Sequence, residues 1–307
     1  MIRTNNSLSK IRAGDIVFNT INCVAFAIFT LICIYPFYYL IINTISANDL
    51  SENGFINFLP RGIHFDSYIE VLKLKGLGRA AMVSIMRTGI GSILTVMASA
   101  FLGFIFIQKK LWKRKLWYRY LVVTMYFNAG LIPAFITMHL LGLTNSFWVY
   151  VIPAIVQPFN IILVKTYLES IPDSLQQAAE IDGAGILRIF IQIMLPLALP
   201  ILATIAIFSA VGQWNSFQDT LIYITDQKLY SLQYVLYQYI NQSNSLAQLI
   251  RNSTIVSSEA MLALATKQTP TSVRMTVSVL VVIPIILVYP MFQRYFVKGI
   301  MIGSIKG

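Results

Sequence analysis

Acidic residues are scarce in this chain: 12 of 307, against 23 lysines and arginines. Charged residues of both signs make up 11%, and 57% of positions are hydrophobic. Soluble domains carry about 25% charge, so this balance argues against a soluble fold and for the membrane class. Cysteine is nearly absent. Cys23 and Cys33 share one apolar run, about 15 Å apart along a helix, whereas a disulfide needs Cα atoms within about 7 Å. That excludes a bridge between them, and no metal-ligand spacing occurs. The dipeptide Gly-Lys is missing, so there is no G-x-x-x-x-G-K-S/T phosphate loop. The interiors of the apolar runs hold no Asp or Glu, although proton- and ion-coupled carriers place ionisable groups there. Arg87 and His139 come nearest, both close to run ends, and His139 reads as a hydrogen-bonded structural residue. Nothing pairs a nucleophile with a base. No enzyme activity, metal or cofactor is expected in this chain.

What is present is a series of long apolar runs, at 17–42, 80–107, 120–141, 147–166, 191–213 and 273–295. Each can cross a ~30 Å hydrocarbon core as a helix rising 1.5 Å per residue. The expected fold is therefore all-α and polytopic, with six transmembrane helices. The first run far exceeds the 7–15-residue core of a signal peptide, so it reads as a retained helix. More than half of the basic residues fall on one side if the N-terminus is inside. These are Arg3, Lys10, Arg12, six bases from Lys109 to Arg119, Lys165, Arg188, Arg294, Lys298 and Lys306. Short basic loops stay cytoplasmic, which puts both termini inside. The net charge of +11 thus reflects topology and lipid proximity, and no nucleic-acid partner is expected. The division is an inner N-terminus (1–16), a membrane domain (17–297) and an inner tail (298–307).

The connections differ. Residues 43–79 are polar and 142–146 make a short turn. Residues 214–272 form a long outer excursion, in which Leu229, Leu232, Leu236 and Ile240 recur at helical spacing beside Tyr230, Tyr234 and Tyr237. That pattern predicts an amphipathic helix, either packed on the bundle or open to a partner. Ala80, Ser84, Thr88 and Ser92 form a small-residue stripe that predicts close helix packing, within this chain or with another subunit.

Between the fourth and fifth runs the chain turns polar, reading ESIPDSLQQAAEIDGAGILRIFIQIMLP. Asp173 can cap a helix, with Gln176 reaching back as in a capping box. Leu175, Ala178, Ala179 and Asp182 fall on one face of that helix. Gly183 can end it in the left-handed conformation, and Pro196 loosens the entry to the next crossing. The expected element, about 173–190, is a short transverse helix between two hinges.

This stretch closely resembles the EAA signature of binding-protein-dependent ABC importer permeases. Ala178 and Ala179 are followed after three residues by Gly183, then after nine by Ile193, Leu195 and Pro196. The departure is Gln177, where the family usually has Glu. WNSFQDTLIYI at 214–224, NAGLIPAFITMHLLGLTNSFW at 128–148 and the C-terminal ending are similar to carbohydrate-uptake permeases. That branch includes the smaller maltose-importer membrane subunit and complex-sugar permeases. The resemblance covers about residues 15–307. It implies a bacterial plasma-membrane protein that pairs with a second homologous permease. It further implies two ATPase subunits that bind ATP and Mg, and an extracellular substrate-binding protein. Gln177, Ala178, Ala179, Asp182 and Gly183, with Leu195 and Pro196, would form the ATPase-coupling element. The tail from Lys298 to Gly307 would also reach the ATPase.

Sugars need aromatic faces and amide or hydroxyl partners. Asn128, Gln157, Asn160, Gln213, Trp214 and Asn215 lie in or at the ends of runs three to five and are the substrate-path candidates. Helix–helix hydrogen bonding remains open for the amides, and an interfacial anchor for Trp214. An importer of another solute, or a stand-alone channel or carrier, remains the alternative.

Overall fold

A computed structural model describes residues 13–252 and 269–300. Those residues are mostly helical, and none lies in a strand. They divide into two units, 13–69 with 246–252 and 269–279, and 70–245 with 280–300.

In the first unit, α1 (Ala13–Thr44) is long and apolar enough to cross a membrane and shows apolar side chains on every face. Cys23 and Cys33 are free thiols on it. At its end the chain folds back through α2 (Asn48–Glu52). The Asn43 amide donates to the Ile56 carbonyl (3.2 Å) and accepts from the Ser51 hydroxyl (2.8 Å). His64 N–H donates to the Ile45 carbonyl, and Ala47 N–H to that of Arg61. The polar connection after the first run is thus an ordered, internally bonded loop leading into α3 (Asp66–Leu72).

The second unit is built on α4 (Leu77–Ile107), which is unbroken and contains no proline. Its small residues face inward: Ala80, Ser84 and Ser92 are buried, as are Thr95, Ser99 and Gly103. Thr88 is half-buried. A Cβ on Gly103 would lie 2.7 Å from Val164 Cγ1 and 3.1 Å from the Lys165 backbone nitrogen, so only glycine allows α7 (Pro158–Leu168) to cross here. Among apolar lipid tails helices gain little from burying apolar surface, and close backbone packing decides the contact. The stripe therefore serves packing within this chain.

Three of the expected crossings are bent. Residues 120–141 were expected to form one crossing, but fall in α5 (Arg114–Tyr126) and α6 (Leu131–Leu140), at 116° to each other. The cause is local. Gly130 takes φ 88°, a conformation side chains resist, and its N–H donates to Asn128 Oδ1 at 2.9 Å. Tight 3₁₀ turns at Phe147–Tyr150 and Ile152–Ala154 precede α7 at 43°, where Gln157 is extended ahead of Pro158. The fifth run comprises α9 (Ile186–Ile189), a π-turn (Phe190–Met194), α10 (Leu195–Leu197) and α11 (Leu199–Asn215), bent by 78°. Pro196 and Pro200 flank that bend and each removes a backbone donor. Among the described residues three helices are long and apolar enough to cross a membrane, or six segments if each bent pair counts as one.

Beyond α11 come α12 (Gln218–Tyr223), α13 (Leu232–Asn252) and α14 (Pro270–Ile300). Leu229 lies in a separate 3₁₀ turn, so the amphipathic helix starts at Leu232. Leu236 is fully buried, and Tyr237 stacks on Phe217 with centroids 4.7 Å apart. Residues 253–268 and 301–307, including most of the inner tail, lie outside the described residues.

Candidate functional site

The polar stretch after α7 forms α8 (Asp173–Ile181). The expected capping box is not made. Pro172 takes the cap position, Asp173 is claimed by Lys109 Nζ at 2.6 Å, and the Gln176 amide donates to Gln108 Oε1 at 2.8 Å. Lys109, just beyond α4, out-competes the weaker backbone donors for Asp173, because ionised hydrogen bonds are the stronger ones, and the neutral Gln108 amide takes Gln176. Asp173 still complements the helix dipole from the first turn. The C-terminal end matches expectation. Gly183 takes φ 79°, its N–H donates to the Glu180 carbonyl, and Ala184 N–H donates to that of Ala179. This pair of bonds is a Schellman closure.

Leu175, Gln177, Ala178 and Asp182 are exposed on α8. Ala179 does not share that face. It is buried against the core of Phe104, Val164, Leu168, Ile189 and Met194, because successive helical residues turn by about 100°. Leu195 packs on the same core, and Pro196 is exposed beside the bend. Lys110 Nζ meets Glu180 Oε2 at 2.9 Å. Hydrogen bonding from Gln176, then Lys110, holds the Glu180 carboxyl below its usual pKa. The short helix thus rests with one side on the core, is fastened at two points to the loop after α4, and leaves its other side open.

A cavity of about 470 Å3 opens between α4, α7, α11 and α12. Gln157, Asn160 and Gln213 line it, joined by Phe159, Phe208, Tyr223, Ser209 and Ser216. Arg87 and Asp219 are the charged residues among the described lining. Arg87 Nη2 donates to Asp219 Oδ2 at 2.6 Å, Nε to Gln213 Oε1 at 3.0 Å, and Nη1 to the Ser216 carbonyl at 3.2 Å. The guanidinium also lies 4.3 Å from the Tyr150 ring centroid. A charge taken out of water is tolerable only with this degree of pairing. A Cβ on Gly91 would come within 2.8 Å of Gln213 Nε2, so glycine makes room for this network.

The other three path candidates lie elsewhere. Asn128 is exposed at the α5–α6 bend, and Asn215 is exposed at the end of α11. Trp214 Nε1 donates to the Val281 carbonyl at 3.1 Å. That carbonyl lies three residues before Pro284 on α14, so Trp214 ties the end of α11 to that helix. It borders a separate, almost wholly apolar hollow with Pro284, Ile285 and Val288. His139 is exposed and stacks on Phe135, which also stacks on Tyr223. Sequence reading missed Asp219, Phe159, Phe208 and Tyr223. The signal for Asp219 was available, since an arginine in an apolar run needs a nearby acid.

The family described as "Binding-protein-dependent transport system inner membrane component" matches residues 96–302, and the chain belongs to it. The "Polygalacturonan/rhamnogalacturonan transport system permease protein YtcP" of Bacillus subtilis (strain 168) is 31% identical over 280 residues, covering 91% of this chain and 94% of that protein. "Protein LplC" of the same organism is 30% identical over 304 residues, covering 98% and 99%. A "bacterial ABC transporter involved in the import of the acidic polysaccharide alginate" contains a chain with a TM-score of 0.77 and 29% identity, over 93% of this chain and 98% of that one. This chain is therefore an ABC importer permease and not an enzyme; ATP hydrolysis in such importers belongs to a separate subunit.

Proposed function

We propose that this permease forms half of the membrane pathway for an oligosaccharide or sugar derivative. It sits in a bacterial plasma membrane, crosses it six times and keeps both termini in the cytoplasm. A second homologous permease completes the pathway. Two ATPase subunits, which bind ATP and Mg, dock on the cytoplasmic side, and an extracellular binding protein delivers the solute. The observation that carries this reading is α8. It is closed by Gly183 and presents Leu175, Gln177, Ala178 and Asp182 to the outside. An ATPase cleft that grips this face would move α4 through Lys109 and Lys110, and α7 and α11 through the core around Ala179. Sugar as the solute is supported by the amides, hydroxyls and aromatic rings that line one cavity, and by the saccharides named for the relatives.

Cysteines placed at Ala178 and Asp182 should crosslink to an ATPase subunit in native vesicles. Failure of every such position to capture one would remove the coupling role. Uptake across solute classes in a deletion strain tests the substrate. Lost peptide uptake with normal sugar uptake would reject the sugar reading. Substrate movement by the purified chain alone in liposomes would favour a stand-alone channel or carrier.

A further inference from the structure

Arg87 and Asp219 differ in access: the arginine side chain is 1% exposed and the aspartate 36%. All three guanidinium nitrogens are engaged, and the group lies close to the Tyr150 ring. Asp219 is engaged on one side. Its Oδ2 accepts from Arg87 and, at 2.8 Å, from Ser216 Oγ. No donor among the described residues reaches Oδ1. A solute in the cavity therefore meets a carboxylate oxygen and does not meet the positive charge behind it.

We propose that Asp219 determines the charge class of the saccharide this subunit accepts. The inference rests on the sugar reading above and narrows it to neutral, hydroxyl-bearing sugar residues. A carboxylate accepts hydrogen bonds and cannot donate them. Oδ1 is thus a receptor for a sugar hydroxyl, and the bond is charge-assisted. A uronate at the same place would set two carboxylates together with no donor between them, and like charges in a partly desolvated site repel strongly. Arg87 orients the aspartate without offering itself to the solute. The neighbouring Phe159, Phe208 and Tyr223 supply uncharged faces for a pyranose ring. The relatives named for polygalacturonan and alginate handle acidic polymers. This chain's cavity has the opposite preference.

The test uses the assembled importer, permease pair with ATPases, in detergent and without its binding protein. Saturation-transfer NMR reports weak binding of two probes, the neutral galactotriose and the acidic trigalacturonate. Wild type should bind galactotriose roughly tenfold more tightly, the size of a charge-assisted hydrogen bond gained against a repulsion. Asp219→Asn keeps shape and can still accept from Arg87. It should weaken galactotriose and bring the two probes within about twofold. Asp219→Glu keeps the charge and should retain the preference. Basal ATP hydrolysis shows that each variant is assembled. Equal binding of both probes by wild type, or an unchanged ratio in Asp219→Asn, overturns the proposal while leaving sugar transport standing. Binding of neither probe by an active complex overturns this inference together with the sugar reading.

Discussion

Lys110 Nζ lies 2.9 Å from Glu180 Oε2, joining the loop after α4 to the exposed short helix 70 residues later. Lys109 and Asp173 make a parallel link at 2.6 Å, and the Gln108 and Gln176 amides bond between them. Each exposed ion pair alone contributes little, because water screens it. Acting together on one helix, they fix its position relative to α4.

Charge reversal probes this link. Lys110→Glu should lower transport per ATP by roughly threefold to fivefold, as expected from losing one pair and adding a repulsion. Adding Glu180→Lys should recover at least half of the loss. Transport and ATP hydrolysis are measured together in proteoliposomes. No loss in the single variant would show that the link carries no load.

The same pair has a pH signature. The Glu180 carboxyl is held below its ordinary value of 4.5 by Gln176 and Lys110. Its contribution is therefore full above that ordinary value and is lost as pH falls through the lowered one. Protection of the amides of residues 173–181, after correction for the intrinsic exchange rate at each pH, should be high at neutral pH and fall under acid. A flat profile would mean that the carboxylate does not hold the helix.

Gly183 should rank its replacements by backbone preference. A Cβ at this position would meet nothing within 4 Å, so crowding is absent and the left-handed conformation alone sets the cost. Asn tolerates it, Ala loses about 1–2 kcal/mol, and Pro is incompatible with positive φ. Uptake should fall in the order Gly, Asn, Ala, Pro, with membrane insertion unchanged. Normal uptake in Gly183→Pro would contradict a role for the hinge. At the neighbouring departure from the family pattern, Gln177→Glu should leave uptake near normal, since the side chain is exposed.

Arg87→Met should destabilise the subunit by about 3 kcal/mol, the low end for breaking a buried pair, because Asp219 is partly hydrated. The melting temperature of the purified complex should drop by several degrees, and Asp219→Asn alone should cost less. Equal melting of wild type and Arg87→Met would mean that the network is not structural.

Much of this was legible in the sequence, for identifiable reasons. The apolar runs and the Gly183 closure follow from composition and from glycine's freedom, both local properties. Gln157, Asn160 and Gln213 were found as amides near run ends, and they share one cavity. What was not legible depends on distant partners. Asp173 has a good local cap sequence, yet Lys109, 64 residues earlier, takes its carboxylate. Trp214 looks like a sugar platform, but its indole N–H is taken by the Val281 carbonyl, 67 residues later. Ala179 follows the signature but faces inward, a matter of helix rotation that spacing alone left ambiguous. The bend at Gly130 was foreshadowed by the Asn-Ala-Gly sequence, but a hydropathy run averages over it.

Of the three described helices long and apolar enough to cross a membrane unaided, α4 is the one without an internal proline; α1 holds Pro36, and α14 holds Pro284 and Pro290. Its far end meets the short helix through Gln108, Lys109 and Lys110, and some 30 Å back along it stands Arg87 at the cavity wall. A helix without a proline kink delivers displacement at one tip to the other with less lost in flexing than a kinked one. In this permease a stroke delivered to α8 would reach the cavity by mechanical stiffness, with no relay of shifting side chains in between.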